Sequence, residues 1–181
     1  MRRRATAERG RSRGFVTMEI REATRDDAAE VGALAEEFAG YLRSLSDPTD
    51  FQFSARTYLR DGFGDEPAFK GLVAEIDGEI AGYLLYHFGY DADLAERFLH
   101  VVDLYVRPDS RRQGVGRALM KRAGEVCLAT GGRRLFWAVY SPNRPAFEFY
   151  ERLGARYIDD MRFMYLTLEG GLPLKEGEND R

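Results

Sequence analysis

The sequence predicts an α/β (α+β) domain in which helices flank a mixed, mainly antiparallel central sheet. One observation is a hairpin signal, because Asp77-Gly78 separates the apolar runs Phe69–Ile76 and Glu79–Phe88 by two residues that favour a tight turn. Another is the strand-like run Val101–Val106, which a glycine-bearing basic loop and an amphipathic helix follow. Helical patterns interrupt the strand-like runs along 181 residues, a length sufficient for one domain with its own core.

Composition and charge exclude several classes of protein. Apolar residues make up 44% and charged residues 31% of the chain, as in ordinary soluble domains, and no apolar run approaches a membrane span. The net charge of −3 gives no reason to expect a nucleic-acid partner. The single cysteine, Cys127, cannot form an internal disulfide, and with two scattered histidines it makes no metal-ligand cluster. We expect a cytoplasmic protein that binds no metal, membrane or nucleic acid.

Both ends of the chain differ from the middle. Residues 1–17 carry six arginines within the first thirteen positions and almost nothing apolar, so they cannot fold alone. We expect a disordered basic tail, with two alternatives: an arm that binds nucleic acid, or a segment upstream of a functional start at Met18. Residues 169–181 are acidic and glycine-bearing and are predicted to be a second tail. Residues 18–168 remain as the domain.

The first half of the domain is predicted to contain a strand, two helices and the hairpin. Met18–Arg21 suits a strand, and Thr24 is placed to cap the helix that we predict over Asp26–Leu45. A polar loop over 46–54 separates it from a second helix, Ala55–Asp61. The apolar stripe of the first helix consists of Ala28, Val31, Leu34, Phe38 and Tyr41.

The second half alternates strands and helices. A loop over 89–96 leads into the strand Arg97–Val106, and the helix that begins near Val115 ends at Gly131-Gly132. The remaining predicted elements are the strand Arg134–Tyr140, the helix Pro145–Leu153 and a last strand, Met161–Leu168.

The loop after Val101–Val106 has the chemistry of a phosphate site. It reads R-x-x-G-x-G, with Arg111, Gly114 and Gly116 at the fixed positions. Glycines let the backbone approach a ligand closely, and the first N–H groups of the following helix are free to bind an anion. The alternative interpretation is a turn with two glycines and a solvated basic rim.

A second motif runs from Asn143 to Ala155 and reads N-x-x-A-x-x-F-Y-x-x-L-G-A. By itself it describes a capped amphipathic helix, with Asn143 or Arg144 near the cap and Pro145 in the first turn. In this order and separation, the two motifs resemble the acetyl-CoA loop and the second conserved block of the GNAT superfamily of N-acetyltransferases. The order of strands and helices over residues 18–168 is also similar to that fold.

The resemblance implies direct transfer of an acetyl group from acetyl-CoA, as co-substrate, to a primary amine in a ternary complex. Tyr150 would protonate the leaving thiolate, and a backbone N–H near Leu104 would polarise the thioester carbonyl. Asp103 would be the base, with His100 and Glu148 as other candidates; alternatively, Asp103 is a structural carboxylate paired with an arginine. Acetyl-CoA would lie between two splayed strands and contact Leu104, Tyr105, Val106, Arg111, Arg112, Gln113, Gly114, Val115, Gly116, Arg117, Asn143 and Tyr150.

Within the superfamily, the chain is most similar to the diamine acetyltransferases, which act on spermidine, spermine and thialysine. Asp91 and Asp103 would then hold a cationic substrate, and a homodimer is implied. Two departures argue against a long polyamine: Val102 stands where that branch has a glutamate, and Leu42 follows Tyr41 where it has another. The similarity rests on Asp61-Gly62-Phe63-Gly64, Leu72-Val73-Ala74-Glu75, Phe88-Gly89-Tyr90-Asp91 and Asp103.

We therefore expect an N-acetyltransferase that acts on a small-molecule amine. Two alternatives stay open. An enzyme that acetylates a protein lysine or N-terminus would need a wide, shallow groove, and a non-catalytic acyl-CoA-binding module would bind without turnover. The presence of Tyr150, Asn143 and the glycine loop favours an enzyme.

Overall fold

The computed structural model of the protein describes residues 17–164 and residue 166. Short 3-10 turns over Arg25–Asp27 and Pro108–Ser110 precede the first and third helices. In chain order the elements are β1 (Met18–Glu22), α1 (Ala28–Ser44), α2 (Ala55–Gly62), β2 (Lys70–Ile76), β3 (Glu79–Asp91), β4 (Glu96–Val106), α3 (Val115–Ala129), β5 (Arg134–Phe136) and α4 (Arg144–Arg152).

The five strands form one sheet in the order β1-β2-β3-β4-β5. Every neighbouring pair is antiparallel except β4 and β5, which are parallel. Helices α1 and α2 pack on one face of the sheet, and α3 and α4 pack on the other. Apolar stripes on the helices bury themselves against the sheet and form two cores, one on each face. The predicted fold class is confirmed.

Local signals located the first turns correctly. Asp77 and Gly78 both have positive φ, 51° and 89°, as a two-residue hairpin turn requires. Thr24 and Asp27 form a capping box before α1, and the carboxylate of Asp27 also binds the guanidinium of Arg21 through two 2.8 Å hydrogen bonds. The buried Asp27 thus connects β1 to the start of α1.

The predicted loop over 89–96 was too long. Strand β3 continues to Asp91 and β4 begins at Glu96, and these two residues are the last pair of the ladder. The ring of Phe98 lies over Gly89, where a Cβ would collide with it. A glycine that looked like a loop residue therefore provides room for a cross-strand aromatic ring.

Two predicted strands were wrong in extent. Only Arg134–Phe136 pairs with β4, and residues 137–140 lie outside the sheet because β4 and β5 diverge. Of the last predicted strand, Met161–Met164 and Leu166 are not in a strand, and the other positions lie outside the described residues. Residues 1–16 and 167–181, which include most of the two predicted tails, lie outside them too. Within the described part of the chain, no helix has the length and apolar character needed to cross a membrane.

Candidate active site

A gap opens between β4 and β5. The two parallel strands pair from Phe98 and Arg134 to His100 and Phe136, and their pairing ends there. The rest of β4, Val101–Val106, pairs with β3 on one edge, and no strand of the described residues pairs with its other edge. The backbone of this segment is therefore available to a ligand.

The direction of the backbone groups on β4 follows from a single hydrogen bond. The N–H of Arg107 donates to the carbonyl of Ala81, 2.9 Å away, at the end of the ladder with β3. Because hydrogen-bonding groups alternate between the two edges of a strand, the N–H of Tyr105 also faces β3. The N–H groups of Leu104 and Val106 consequently face the gap.

A cavity of about 470 Å3 occupies this gap. The C-terminal end of β4, the loop before α3 and one side of α4 surround it, and the C-terminal half of α1 closes one side. Its lining consists of Phe38, Tyr41, Leu104, Tyr105, Val106, Ser110, Arg111, Arg112, Gly114, Val115, Gly116, Arg117, Asn143, Pro145, Ala146, Glu148, Phe149, Tyr150, Arg152 and Leu153.

The loop before α3 has the geometry that the motif predicted. Gly114 is the N-cap of α3 and has φ +90°, a conformation that favours glycine. At Gly116 a Cβ would lie 3.1 Å from the ring of Phe149, so this glycine lets α4 pack closely against α3. The first N–H groups of α3 and the cavity thus lie together, which makes an anion site.

Arg111 anchors this loop to β4. Its Nε donates to the carbonyl of Val106 over 2.9 Å, and its guanidinium lies 5.2 Å from the ring centroid of Tyr41 and 5.5 Å from that of Tyr105. Two cation–π contacts therefore fix the side chain that the motif singled out. Gln113, by contrast, donates to the carbonyl of Asp109 and does not line the cavity.

Asn143 caps α4 and connects it to α1. Its Oδ1 accepts hydrogen bonds from the N–H of Ala146 at 3.3 Å and from the hydroxyl of Tyr41 at 2.8 Å. The side chain is buried and borders the cavity. With Oδ1 engaged by two donors, the amide group is held in one orientation beside the cavity.

Tyr150 lies on the α3 side of the gap. Its ring packs against Trp137 and Phe149, with centroid distances of 4.8 Å and 5.0 Å. Burial, and then the negative charge of Asp103, raise the pKa of Tyr150 above that of an ordinary tyrosine. The phenol is therefore protonated at neutral pH and can donate a proton.

Asp103 lies on the opposite, α1 side of the sheet. Leu85 pairs with Asp103 while the next residue of β3, Tyr86, pairs with Val101, so Val102 is an extra residue in β4 and forms a bulge. The Oδ2 atom of Asp103 accepts a 2.5 Å hydrogen bond from the hydroxyl of Tyr83. Burial raises the pKa of Asp103 to about 6, although hydrogen bonds from Tyr83 and from the backbone N–H of Leu104 oppose the shift. An arginine partner was the structural alternative, and none pairs with Asp103 among the described residues.

Asp91 is not brought to this site within one chain. It lies at the far end of β3, where its carboxylate binds the guanidinium of Arg134 at 2.7 Å, and Arg134 also binds Glu96 at 2.7 Å. Asp103 lies seven positions after Glu96, the partner of Asp91 on β4, which is roughly 23 Å of extended strand. The two predicted substrate carboxylates are therefore far apart.

The profile of the Acetyltransferase (GNAT) family matches residues 33–155. The chain belongs to this family. The protein named "Thialysine N-epsilon-acetyltransferase" from Bos taurus is 37% identical to this GNAT chain over 145 residues, which cover 76% of the chain and 83% of the relative. The human "Spermidine/spermine N(1)-acetyltransferase-like protein 1" is 28% identical over 144 residues, 76% of this chain and 20% of that protein.

Solved structures support the same fold. An integron cassette protein from the mobile metagenome of V. cholerae superimposes with a TM-score of 0.69 at 22% identity, and the match covers 83% of this chain and 92% of that one. The resemblance to the GNAT superfamily and to its diamine branch is confirmed, and this GNAT chain is an N-acetyltransferase.

Besides Phe149, which also lines the cavity, sequence reasoning missed three aromatic residues of the site. Phe38 and Tyr41 line the cavity from α1, and Tyr83 is the partner of Asp103. The first two belong to the apolar stripe of a helix and the third to a buried strand. Packing in the core therefore accounted for the presence of all three and, Tyr41 apart, nothing further suggested a role in the site. A hydroxyl at the end of an otherwise apolar stripe was the one signal that pointed to Tyr41.

Proposed function

We propose that this GNAT enzyme transfers an acetyl group from acetyl-CoA to the primary amine of a small molecule, by direct attack in a ternary complex. The observation that carries the proposal is the gap beside Val101–Val106, with its cavity between the free backbone edge of β4, the N-terminus of α3 and Tyr150. A proton donor on one side of the gap and a carboxylate on the other are the groups that such a transfer requires.

The cofactor side of the proposal rests on α3 and β4. The diphosphate of acetyl-CoA would bind the N–H groups of Arg112–Arg117, with charge from the arginines of the loop. The pantetheine arm would pair with the backbone of Leu104–Val106, as an added strand pairs with a sheet edge. Asn143 would contribute its amide group to the same arm.

The chemical step would use two donors. As the amine attacks, negative charge develops on the thioester oxygen, and a backbone N–H near Leu104 would stabilise it. The N–H of Val106 faces the gap, whereas the N–H of Leu104 also contacts the carboxylate of Asp103. Tyr150 would then give its proton to the departing thiolate. The position of Tyr150 at the cavity, beside the end of β4, supports this assignment.

The acceptor would approach from the α1 side, where Asp103 lies. A carboxylate whose pKa is about 6 is charged at pH 7 and attracts an ammonium group, which must lose a proton before it can attack. The exposed Val102 and the apolar Leu42 supply no further carboxylate. We therefore favour a short amine or an amino acid such as a lysine analogue over a long polyamine. A homodimer and a cytoplasmic location remain predictions.

Free-thiol release from acetyl-CoA tests the proposal. The acceptors are thialysine, lysine, putrescine, spermidine, an aminoglycoside and a histone peptide. We expect turnover with one of the small amines, and a kcat about 100-fold lower in Tyr150→Phe. The Kd of acetyl-CoA should change only a few-fold, since the ring and its contact with Trp137 are kept.

Tyr90→Phe is the matched control, because Tyr90 is an exposed tyrosine that does not line the cavity. Equal losses in the two variants would refute the role of Tyr150. Turnover of the peptide alone would identify a protein acetyltransferase. Binding of acetyl-CoA without turnover of any acceptor would favour the non-catalytic alternative.

A further inference from the structure

The two histidines of the chain lie side by side on the sheet. His87 on β3 and His100 on β4 are cross-strand partners, and His87 Nε2 and His100 Nδ1 are 3.0 Å apart. The ring centroids are 4.8 Å apart. His87 is exposed, whereas His100 is half-buried against the ring of Phe136.

A neighbouring carbonyl fixes which nitrogens carry the protons. His87 Nδ1 lies 3.2 Å from the carbonyl oxygen of Phe88, which can only accept, so Nδ1 of His87 is the donor. In neutral His87, Nε2 then carries the lone pair and accepts from Nδ1–H of His100. Neutral His100 is left with its lone pair on Nε2, which has no hydrogen-bond partner among the described residues.

The bulge at Val102 places the two imidazole rings on the same face of the sheet as Asp103, the face from which the acceptor would approach. Asp103 pairs with Leu85 and His100 pairs with His87, and Leu85 and His87 are two residues apart on β3. Side chains two residues apart on a strand share a face and are separated by about 7 Å. Without the extra residue, His100 and Asp103 would point to opposite faces. The acceptor amine together with a water molecule spans such a distance.

The other charged groups on this face lie farther along the strands. Phe98 and Phe136, whose ring centroids are 5.9 Å apart, separate His100 from the cluster of Arg134, Asp91 and Glu96. The carboxylates of that cluster are occupied by Arg134. Glu37 also reaches this face from α1, where it contacts Tyr105 and Arg107. Asp103 is the carboxylate whose partner on β3 lies two positions from His87.

We propose that His100 and His87 form the proton outlet of the acceptor site, a proposal that rests on the acetyl transfer proposed above. The ammonium group of the acceptor, held by Asp103, passes one proton through water to Nε2 of His100. His100 gives its Nδ1 proton to Nε2 of His87, and the exposed His87 releases a proton to solvent. The amine is left neutral, with its lone pair free to attack the thioester.

The electrostatics of the pair support the direction of transfer. Burial, followed by the charge of His87, lowers the pKa of His100. His100 is therefore neutral at pH 7 and has a lone pair to offer. Because burial disfavours the charged form of this half-buried ring, passage of the proton to the exposed partner is favoured.

Nitrogen-15 NMR of the imidazole rings tests the arrangement without any turnover. The two histidines give two spin systems, so assignment needs only His87→Gln. We expect both neutral rings as Nδ1–H tautomers at pH 8. An Nε2–H tautomer on His100 would overturn the proposal, whatever the activity of the enzyme.

The pH dependence of kcat/KM, measured with the acceptor found in the panel, tests the role in turnover. At pH 7 we expect His100→Gln to lower kcat/KM about 10- to 100-fold, and added imidazole to restore part of the loss. His87→Gln should move the acid limb of the profile to higher pH, because it removes the charge that lowers the pKa of His100. Tyr150→Phe should lower the rate without that movement.

The failures of the two proposals are distinguishable. If the wild-type enzyme turns over an amine, and His100→Gln and His87→Gln both keep its rate and pH profile, the proton outlet is refuted and acetyl transfer stands. If the wild-type enzyme binds acetyl-CoA but turns over no amine, acetyl transfer falls, and the proton outlet falls with it.

Discussion

The hydroxyl of Tyr41, on α1, donates a 2.8 Å hydrogen bond to Oδ1 of Asn143, the N-cap of α4, across 102 residues of sequence. The bond links helices on opposite faces of the sheet at the border of the cavity. The same Tyr41 ring receives the guanidinium of Arg111. One side chain thus orients both a proposed cofactor ligand and the loop that would hold the diphosphate.

Tyr41→Phe should weaken acetyl-CoA binding and leave the chemical step unchanged. The variant keeps the ring under Arg111 and removes one hydrogen bond, worth about 1 kcal/mol, from Asn143. We expect a roughly five-fold rise in the KM for acetyl-CoA and a kcat within two-fold of wild type. Steady-state kinetics at saturating acceptor measure both values.

Tyr140→Phe is the matched control for that variant. It also removes one tyrosine hydroxyl that bonds to another segment, the carbonyl of Ser46 at 3.3 Å, but Tyr140 does not line the cavity. A similar rise in KM in both variants would mean that the effect of Tyr41 is general loosening and not orientation of Asn143.

Arg111→Lys tests whether the shape of the guanidinium matters as well as its charge. Lysine keeps the positive charge but cannot stack between Tyr41 and Tyr105 while donating to Val106. We expect the Kd of acetyl-CoA, measured by titration calorimetry, to rise about ten-fold. Arg122→Lys on α3 should leave the Kd unchanged, because this arginine bridges to Glu125 and does not line the cavity. Equal Kd values for the two variants would contradict the prediction.

Asp103→Asn should stabilise the fold above pH 6. Because burial raises the pKa of Asp103 to about 6, the folded protein binds an extra proton between about pH 4 and 6, and this stabilisation is lost as the pH rises through 6. Asparagine keeps an acceptor for Tyr83 and does not titrate. In urea unfolding, the variant should gain on the order of 2 kcal/mol over wild type at pH 8, and much less at pH 4.

The exposed Asp93, in the turn between β3 and β4, provides the control for that pH dependence. Asp93→Asn should follow the wild-type stability within about 0.5 kcal/mol at both pH values. A stability difference between Asp103→Asn and wild type that does not change with pH would show that Asp103 does not titrate near 6.

Asp27→Asn should destabilise the fold. The carboxylate is buried and accepts hydrogen bonds from Nη1 and Nη2 of Arg21, and an amide cannot reproduce that two-point contact. We expect a loss of roughly 2–4 kcal/mol at pH 7. Burial alone would raise the pKa of Asp27, but hydrogen bonds from Arg21 and Thr24 hold it below its usual value. The deficit of the variant should therefore shrink as the pH falls towards 3.

Asp26→Asn is the neighbouring control, since Asp26 is exposed in the same first turn. Urea unfolding should show a change below about 0.5 kcal/mol for this variant. A comparable loss in both variants would assign the effect to the charge of the turn and not to the Arg21 contact.

The elements that were predicted correctly carry local signals. The turn at Asp77-Gly78 and the caps at Thr24 and Asn143 depend on residues within four positions of one another. The strand Arg134–Tyr140 was predicted too long because its end depends on a partner that is distant in sequence. Its composition suits a strand, but pairing requires a partner, and β4 diverges after His100.

In the candidate site, too, local motifs located some residues, and contacts between distant residues decided the position of others. The glycine loop and Tyr150 were found from motifs, because phosphate binding and helix packing constrain closely spaced residues. Asp91 was assigned to the substrate, yet its carboxylate binds Arg134, 43 residues farther along the chain. No local pattern contains that contact.

The sequence by itself determined the fold class, the family and the position of the glycine loop, because alternation, caps and glycine spacing act over a few residues. Only the tertiary structure decided how the titratable groups are combined. One unpaired residue, Val102, turns β4 so that Asp103 and His100 share a face. Such a bulge arises from the competition between pairing with β3 and packing on both faces of the sheet, and that competition involves residues far apart in the chain.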